Sequence, residues 1–271
     1  MTGIKQAENM ENTAKSIESA DRELFDNIAH SYVQKDLKPY CRIARRLRLE
    51  RTLKNIPRPM RALLEGGCGA GFSADYLKGE YIQFVGLDYS QGLIDYAERY
   101  NGGKNVLFVC KNITDYTSAE QFDVIFMIGV LHHIPDPAEV LQHLKRLLKP
   151  AGVLVVNEPQ RGNPLIGLLR RARKFIDPKY SADQVEFSAA EVEDLFRRCG
   201  YAVSSFPQGV FSTPLAETRL LPDFVGFPLA VLFKYLDPIV EIMVNLPVLR
   251  RVAWNIVVEA RLGPREGTPE N

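Results

Sequence analysis

Two short stretches hold most of the side chains able to do chemistry. The first is Glu65-Gly66-Gly67-Cys68-Gly69-Ala70-Gly71. Gly67, Gly69 and Gly71 let the backbone pass close to a ligand and take dihedrals that other residues resist. A helix after such a turn offers free N–H groups and a positive dipole end, which suit a phosphate or a carboxylate. The turn alone is ambiguous, because Gly69, Gly71 and Ala74 also satisfy the dinucleotide pattern G-x-G-x-x-A. Asp88 narrows the choice. It follows the turn by about twenty residues, the spacing of an acid that accepts hydrogen bonds from a ribose diol. A nicotinamide or flavin enzyme shows the same two features, and an Asp capping the next helix is the plainer alternative. The second stretch is Gly129-Val130-Leu131-His132-His133. Either His132 or His133 can take a proton from a hydroxyl or an enol, or both can be structural. Glu158, Gln160 and His30 are further candidates for a base. The two histidines are adjacent and lack acid or cysteine ligands at usual spacing, so no metal site is expected.

Alternating strands and helices must position these groups. Met60–Glu65, Tyr81–Asp88, Val106–Cys110, Phe122–Ile128 and Val153–Asn157 read as strands. Ser73–Lys78, Gln91–Arg99 and Ala138–Leu148 read as the helices between them, with Ser90 and Asp136 as start signals and Lys149-Pro150-Ala151-Gly152 as a stop. Alternation of this kind predicts a parallel sheet whose ligands bind beyond the carboxyl ends of the strands. Ser188, with Glu191 three residues on, predicts a capping box and a helix to Cys199. Tyr201–Phe206 and Asn255–Ala260 read as two final strands. Between them Phe211–Ala253 is too apolar for an exposed loop and reads as helices folded over the site. Upstream, Ile43, Leu47, Leu49, Leu53 and Ile56 recur at helical spacing, with Lys38-Pro39 separating two helices. The resulting division is a disordered tail at 1–20, a helical cap at 21–57, a ligand-binding domain at 58–262 with its helical insertion at 211–253, and a second tail at 263–271.

The ordered set of motifs from Leu64 to Gly152 resembles the class I S-adenosylmethionine (SAM) dependent methyltransferases. Glu65, Gly67, Gly69 and Gly71 are similar to the family's first motif, with Glu where Asp is commoner. GLDYS at 86–90 resembles the second and KNITDY at 111–116 the third. FDVIFMIGVLHHIPD at 122–136 and LKRLLKPAGVLVVNEP at 144–159 resemble the fourth and fifth. The resemblance implies a Rossmann-like α/β fold with a seven-stranded, mostly parallel sheet whose last strand is antiparallel. It implies SAM as methyl donor and S-adenosylhomocysteine as product. The cofactor contacts it implies are Glu65, Gly67, Cys68, Gly69, Gly71, Asp88, Tyr89, Asn112, Ile113, Ile128 and Gly129. Asn112 would offer its carbonyl to the adenine amine. Tyr32, in the segment IAHSY, is similar to a residue on a helix that closes over the cofactor.

The rest of the chain bounds the acceptor. A formal net charge of +1 over 271 residues gives no global field toward nucleic acid. No appended basic module is evident, and no NPPY-like signature follows the fourth strand, which disfavours nucleic acid as a partner. Two local clusters, Arg42 to Arg61 and Arg170 to Lys174, are solvated helix faces or contacts to an anionic substrate or membrane. The four cysteines, Cys41, Cys68, Cys110 and Cys199, form no CxxC motif. The polar N-terminus lacks a signal-peptide core, so a cytoplasmic setting is expected. Lys234, Asp237 and Glu241, with Pro228, Pro238 and Pro247, interrupt the most apolar region, so no spanning helix is expected, while peripheral membrane contact stays open. The expected acceptor is a small, partly hydrophobic molecule, O- or C-methylated by a monomer or homodimer. A silent adenosine-binding domain and a nucleotide-dependent oxidoreductase are the alternatives.

Overall fold

Phe122–Ile128 (β4) has no polar face, and the structure shows why. Ile125 and Met127 enter one hydrophobic cluster while Val124 and Phe126 enter another on the opposite side of the sheet. Apart from Asp123 at its half-buried start, the strand is covered on both faces and is apolar for that reason. Leu63 and Leu64 divide between the same two clusters from the neighbouring strand Met60–Gly66 (β1). Fully burying each such side chain contributes about 1.5–3 kcal/mol. The computed structural model describes residues 19–20, 22–30, 33–34, 36–161, 187–217, 221–246, 249–250 and 253–263. Tyr32, the Arg170–Lys174 cluster and most of both terminal tails lie outside these residues.

The remaining strands are Tyr81–Asp88 (β2), Val106–Cys110 (β3), Leu148–Pro159 (β5), Tyr201–Gln208 (β6) and Asn255–Leu262 (β7). The sheet order is β3-β2-β1-β4-β5-β7-β6. Pairing is parallel from β3 through β5, and β7 runs antiparallel between β5 and β6. That edge departs from the 3-2-1-4-5-6 order of dinucleotide-binding sheets. One boundary differs from the sequence reading. Lys149–Gly152 does not break the chain between helix and strand; β5 runs through it, with a shift of register opposite Phe122 and Val124. An irregular ladder absorbs the Pro and Gly there.

The helices are α1 (Pro39–Thr52), α2 (Phe72–Tyr76), α3 (Gln91–Asn101), α4 (Pro137–Leu147), α5 (Ala189–Arg198), α6 (Ser212–Glu217) and α7 (Asp223–Val244). Residues 22–30 are also helical. The start signals act as expected. Ser90 accepts from the Leu93 N–H, Asp136 from Ala138 and Glu139, and Ser188 and Glu191 close a capping box. Pro39 occupies the first turn of α1, where its missing N–H costs no helical bond.

α1 crosses the carboxyl end of β5 and is fixed there by a buried polar network. Asn157 accepts from Arg48 Nη2 at 3.0 Å, and its amide donates to Thr52 Oγ1 and Gln208 Oε1, each at 2.6 Å. Gln208 donates in turn to the Arg48 carbonyl at 2.9 Å. Much of the upstream arginine cluster is used internally. Arg42 pairs with Asp75, Arg45 with Asp36, Arg46 with Glu50, Arg51 with Glu241 and Arg58 with Glu80.

The insertion is helical, as expected. α6 and α7 pack against α1. Asp237 on α7 accepts from the N–H groups of Phe211 and Ser212, both at 2.9 Å, and Glu241 accepts from the Gly209 N–H at 3.1 Å. These inward carboxylates hold α7 to the exit of β6. α7 also continues through Pro228 and Pro238 as one helix.

Candidate active site

The glycine turn joins β1 to α2, and its three glycines do different things. All three have positive φ: Gly67 at 69°, Gly69 at 52° and Gly71 at 74°. A Cβ at Gly67 would stand 2.4 Å from Val130, and one at Gly71 would stand 2.5 Å from Phe108. Those two allow close packing. A Cβ at Gly69 meets nothing within 4 Å, so this is where the turn faces open space. The Gly69 N–H donates to Asp88 Oδ2 at 2.8 Å, and the Ser90 N–H donates to Oδ1 at 3.0 Å. Both oxygens of Asp88 are thereby oriented, and each keeps lone-pair capacity for a hydroxyl donor. Burial raises the Asp88 carboxyl above its ordinary range, opposed by the N–H groups of Ser90 and Gly69.

Gly67, Asp88, Tyr89, Asn112, Ile113 and His133 line one cavity of about 140 Å³, joined by Val130 and by the start of α4 at Asp136 and Glu139. The sequence motifs thus converge on a shared space at the carboxyl ends of β1, β2 and β4. Two expectations gain detail. The Asn112 carbonyl already accepts from the N–H and hydroxyl of Thr114, both at 3.1 Å, in a local Asx turn. An adenine amine would share that oxygen with Thr114. The Cys68 thiol packs into the core, so that residue serves the turn through its backbone, with its N–H on the Leu87 carbonyl. Phe25, which the sequence reading missed, sets its ring edge-on to Tyr89 at 6.1 Å and to His133 at 5.6 Å. Asp26 beside it accepts from the Ser90 hydroxyl at 2.5 Å and the Gly92 N–H at 3.3 Å, which docks the 22–30 helix onto the start of α3.

Glu65 lies buried beneath the turn. Ser73 donates to its Oε1 at 2.7 Å, while Oε2 is buried without a hydrogen-bond partner. Burial pushes the carboxyl up to about 8, with Ser73 opposing and Asp88 adding to the rise. A buried carboxyl oxygen with no partner beside the turn fits a ligand bearing an ammonium group, whose charge would favour the ionised carboxylate.

The second group lies beyond the fourth strand, around Gly129. Glu158, fully buried at the end of β5, accepts from the N–H groups of Val130 at 3.0 Å and Leu131 at 2.8 Å through one oxygen. Its other oxygen is 2.7 Å from His132 Nδ1. Burial alone would raise the Glu158 carboxyl, but His132 and the two backbone donors outweigh it and the net shift is downward. An ionised Glu158 fixes a proton on Nδ1 and leaves Nε2 as the basic nitrogen. A point one Cβ out from Gly129 is 3.8 Å from His132 Cε1 and 3.7 Å from Arg48 Nη2. The imidazole and the guanidinium therefore converge on one small space. His133 packs at 4.2 Å beside His132 but turns to the cavity side. Gln160 donates to the carbonyls of Arg250, Ala253 and Asn255, and His30 is exposed on its helix, so neither joins the site. Among the described residues no group of three or more His, Cys, Asp or Glu side chains could hold a metal ion.

The Glu65 carboxyl supplies a prediction. Its folded value lies above the ordinary 4.5, so the folded chain holds a proton that the unfolded chain releases between 4.5 and about 8. The associated stability is complete below 4.5 and is lost as pH rises through about 8. Glu65→Gln should flatten the fall in unfolding free energy over that window, measured by urea denaturation. Parallel pH profiles for variant and wild type would contradict the assignment.

Comparison with known proteins agrees with this geometry. A methyltransferase domain family matches residues 64–156. The ubiquinone biosynthesis O-methyltransferase of Thiobacillus denitrificans is 28% identical over 201 residues, 66% of this chain and 86% of that protein. The protein of the same name from Coxiella burnetii is 33% identical over 95 residues, 34% of this chain and 41% of the relative. Among solved structures, a DhpI–SAH complex aligns with a TM-score of 0.59 at 19% identity, covering 92% of this chain and 98% of the other. Magnesium protoporphyrin IX methyltransferase from Synechocystis with bound SAH gives 0.59 at 11% identity, covering 91% and 100%. These structural likenesses speak to the fold. Residues 64–156 thus match a methyltransferase domain, and strand order and motif spacing agree with the class I SAM-dependent methyltransferase fold.

Proposed function

We propose that this methyltransferase methylates an oxygen of a small, partly hydrophobic acceptor, a hydroxylated ring of the quinol or catechol kind, with His132 as general base. The observation that carries this reading is the hydrogen bond between His132 and the buried Glu158. A sulfonium methyl is already activated, so an enzyme chiefly supplies alignment and, for a hydroxyl acceptor, a place for its proton. SAM supplies that methyl group when bound. The orphaned Glu65 oxygen, the open face of Gly69 and the oriented Asp88 carboxylate are the groups fitted to hold its ammonium, its backbone-adjacent portion and its ribose. His132 Nε2 would take the acceptor's proton, and Glu158 would steady the resulting imidazolium. Arg48, on the same small space, would stabilise the developing oxyanion. The names of the Thiobacillus and Coxiella relatives support an O-methylated, quinone-related acceptor.

Two measurements test these roles. Asp88→Ala and the milder Asp88→Asn should bind SAM about 10- to 100-fold more weakly by calorimetry, the loss expected for hydrogen bonds to a charged group. Affinity unchanged in both would refute the ribose role. His132→Ala should lower kcat on a catechol and hydroquinone panel by about 10²-fold or more with SAM affinity preserved. His133→Ala should cost less. Wild-type turnover in the His132 variant, or a larger loss in the His133 variant, would remove His132 as the base.

A further inference from the structure

α7 is amphipathic in the wrong sense for a surface helix. Two of its three carboxylates point inward: Asp237 is 1% exposed and Glu241 is 2%. Its large apolar side chains point outward. Phe224 is 80% exposed, Ile242 74% and Tyr235 66%, with Phe227, Leu232 and Ile239 also exposed. At 3.6 residues per turn these positions fall within one arc roughly 160° wide. The arc contains no carboxylate. Lys234 is exposed at its border; Asp223, in the first turn, is also exposed but outside the arc, on the side toward Tyr40 of α1. The exposed apolar side chains of α7 together present on the order of 1,000 Å², against about 300–600 Å² for the largest patch on an ordinary monomer.

We propose that this face of α7 lies in the headgroup–acyl boundary of an anionic lipid bilayer. Three observations favour lipid over a second copy of the chain. The arc is far wider than the narrow seam through which two helices pair. Its bordering charge is a lysine, whose stem can lie along apolar surface while the ammonium meets an anionic headgroup. The face carries Phe and Tyr side chains among the aliphatic ones, as in helices that lie in the interface plane. No described helix is long and apolar enough to cross a membrane, so the contact is peripheral. The inward carboxylates explain how such a face is held outward: Asp237 and Glu241 are tied to backbone N–H groups at the exit of β6, so α7 cannot roll to hide its apolar side. This contact is independent of methyl transfer, since no α7 residue lines the cofactor cavity.

Cosedimentation of the full chain with vesicles tests it. The wild type should partition onto phosphatidylglycerol–phosphatidylcholine vesicles and much less onto phosphatidylcholine alone. The double variant Ile239→Glu/Ile242→Glu should lose at least tenfold in partitioning, and Lys234→Glu should lose the preference for the anionic vesicles. Both substitute exposed side chains, and an unchanged melting temperature and SAM affinity would show that the fold survives. Equal partitioning of wild type and double variant overturns the proposal. So does a wild type that ignores vesicles, whether it runs as a dimer that the double variant disperses, which assigns the face to a second copy, or stays monomeric.

Discussion

A carboxylate buried at the end of β5 organises the turn after β4, the side proposed to meet the acceptor. Removing an ion of that size from water costs several kcal/mol unless its oxygens are satisfied. Glu158 meets that demand by drawing three donors to itself: two backbone N–H groups from the turn after β4 and one imidazole. The requirement runs both ways. The turn after β4 leaves its N–H groups without ladder partners, and Glu158 satisfies them. Strand register makes the meeting possible. Ile128 pairs with Asn157, so Glu158, one residue on, stands opposite the chain as it leaves the strand. His132 is thereby fixed in orientation and in tautomer.

The adjacent residue serves a different half of the structure. Asn157 reaches toward α1 and, with Thr52 and Gln208, anchors that helix across the sheet. Arg48 is consequently delivered to the space around Gly129 from the N-terminal cap. Successive side chains on β5 alternate between faces, so Asn157 and Glu158 support opposite layers from neighbouring positions. The side proposed to hold the methyl donor is built separately, from the glycine turn, Asp88 and Glu65 at the ends of β1 and β2. The two sides meet where β1 and β4 lie side by side.

The parts legible in the sequence were those whose cause is local. A glycine turn needs positive φ at fixed positions, and Gly67, Gly69 and Gly71 have it. Helix caps at Ser90, Asp136 and Ser188 act within three residues of themselves. Alternating strands and helices announced the parallel pairing of β1 to β5. The missing parts depend on long-range placement. Nothing near Arg48 in sequence announces Asn157, and nothing near Phe25 announces Tyr89 and His133. His133 drew equal attention to His132 because spacing cannot tell which ring meets a residue in the next strand. The local turn that Asn112 makes with Thr114, two residues on, was not anticipated. The insertion is helical, but its packing on α1 was not legible. Its apolar count was plain, but burial of Asp237 and Glu241 reversed the face that hydrophobicity would turn inward.

The central claim is that charged Glu158 holds the proton of His132 on Nδ1 and leaves Nε2 ready to accept another. Imidazole nitrogen-15 shifts of His132 in the folded, neutral-ring state measure this directly. The account predicts a protonated Nδ1 and a lone pair on Nε2, with that preference weakened in Glu158→Gln. A His132 carrying its proton on Nε2 in the wild type would contradict it.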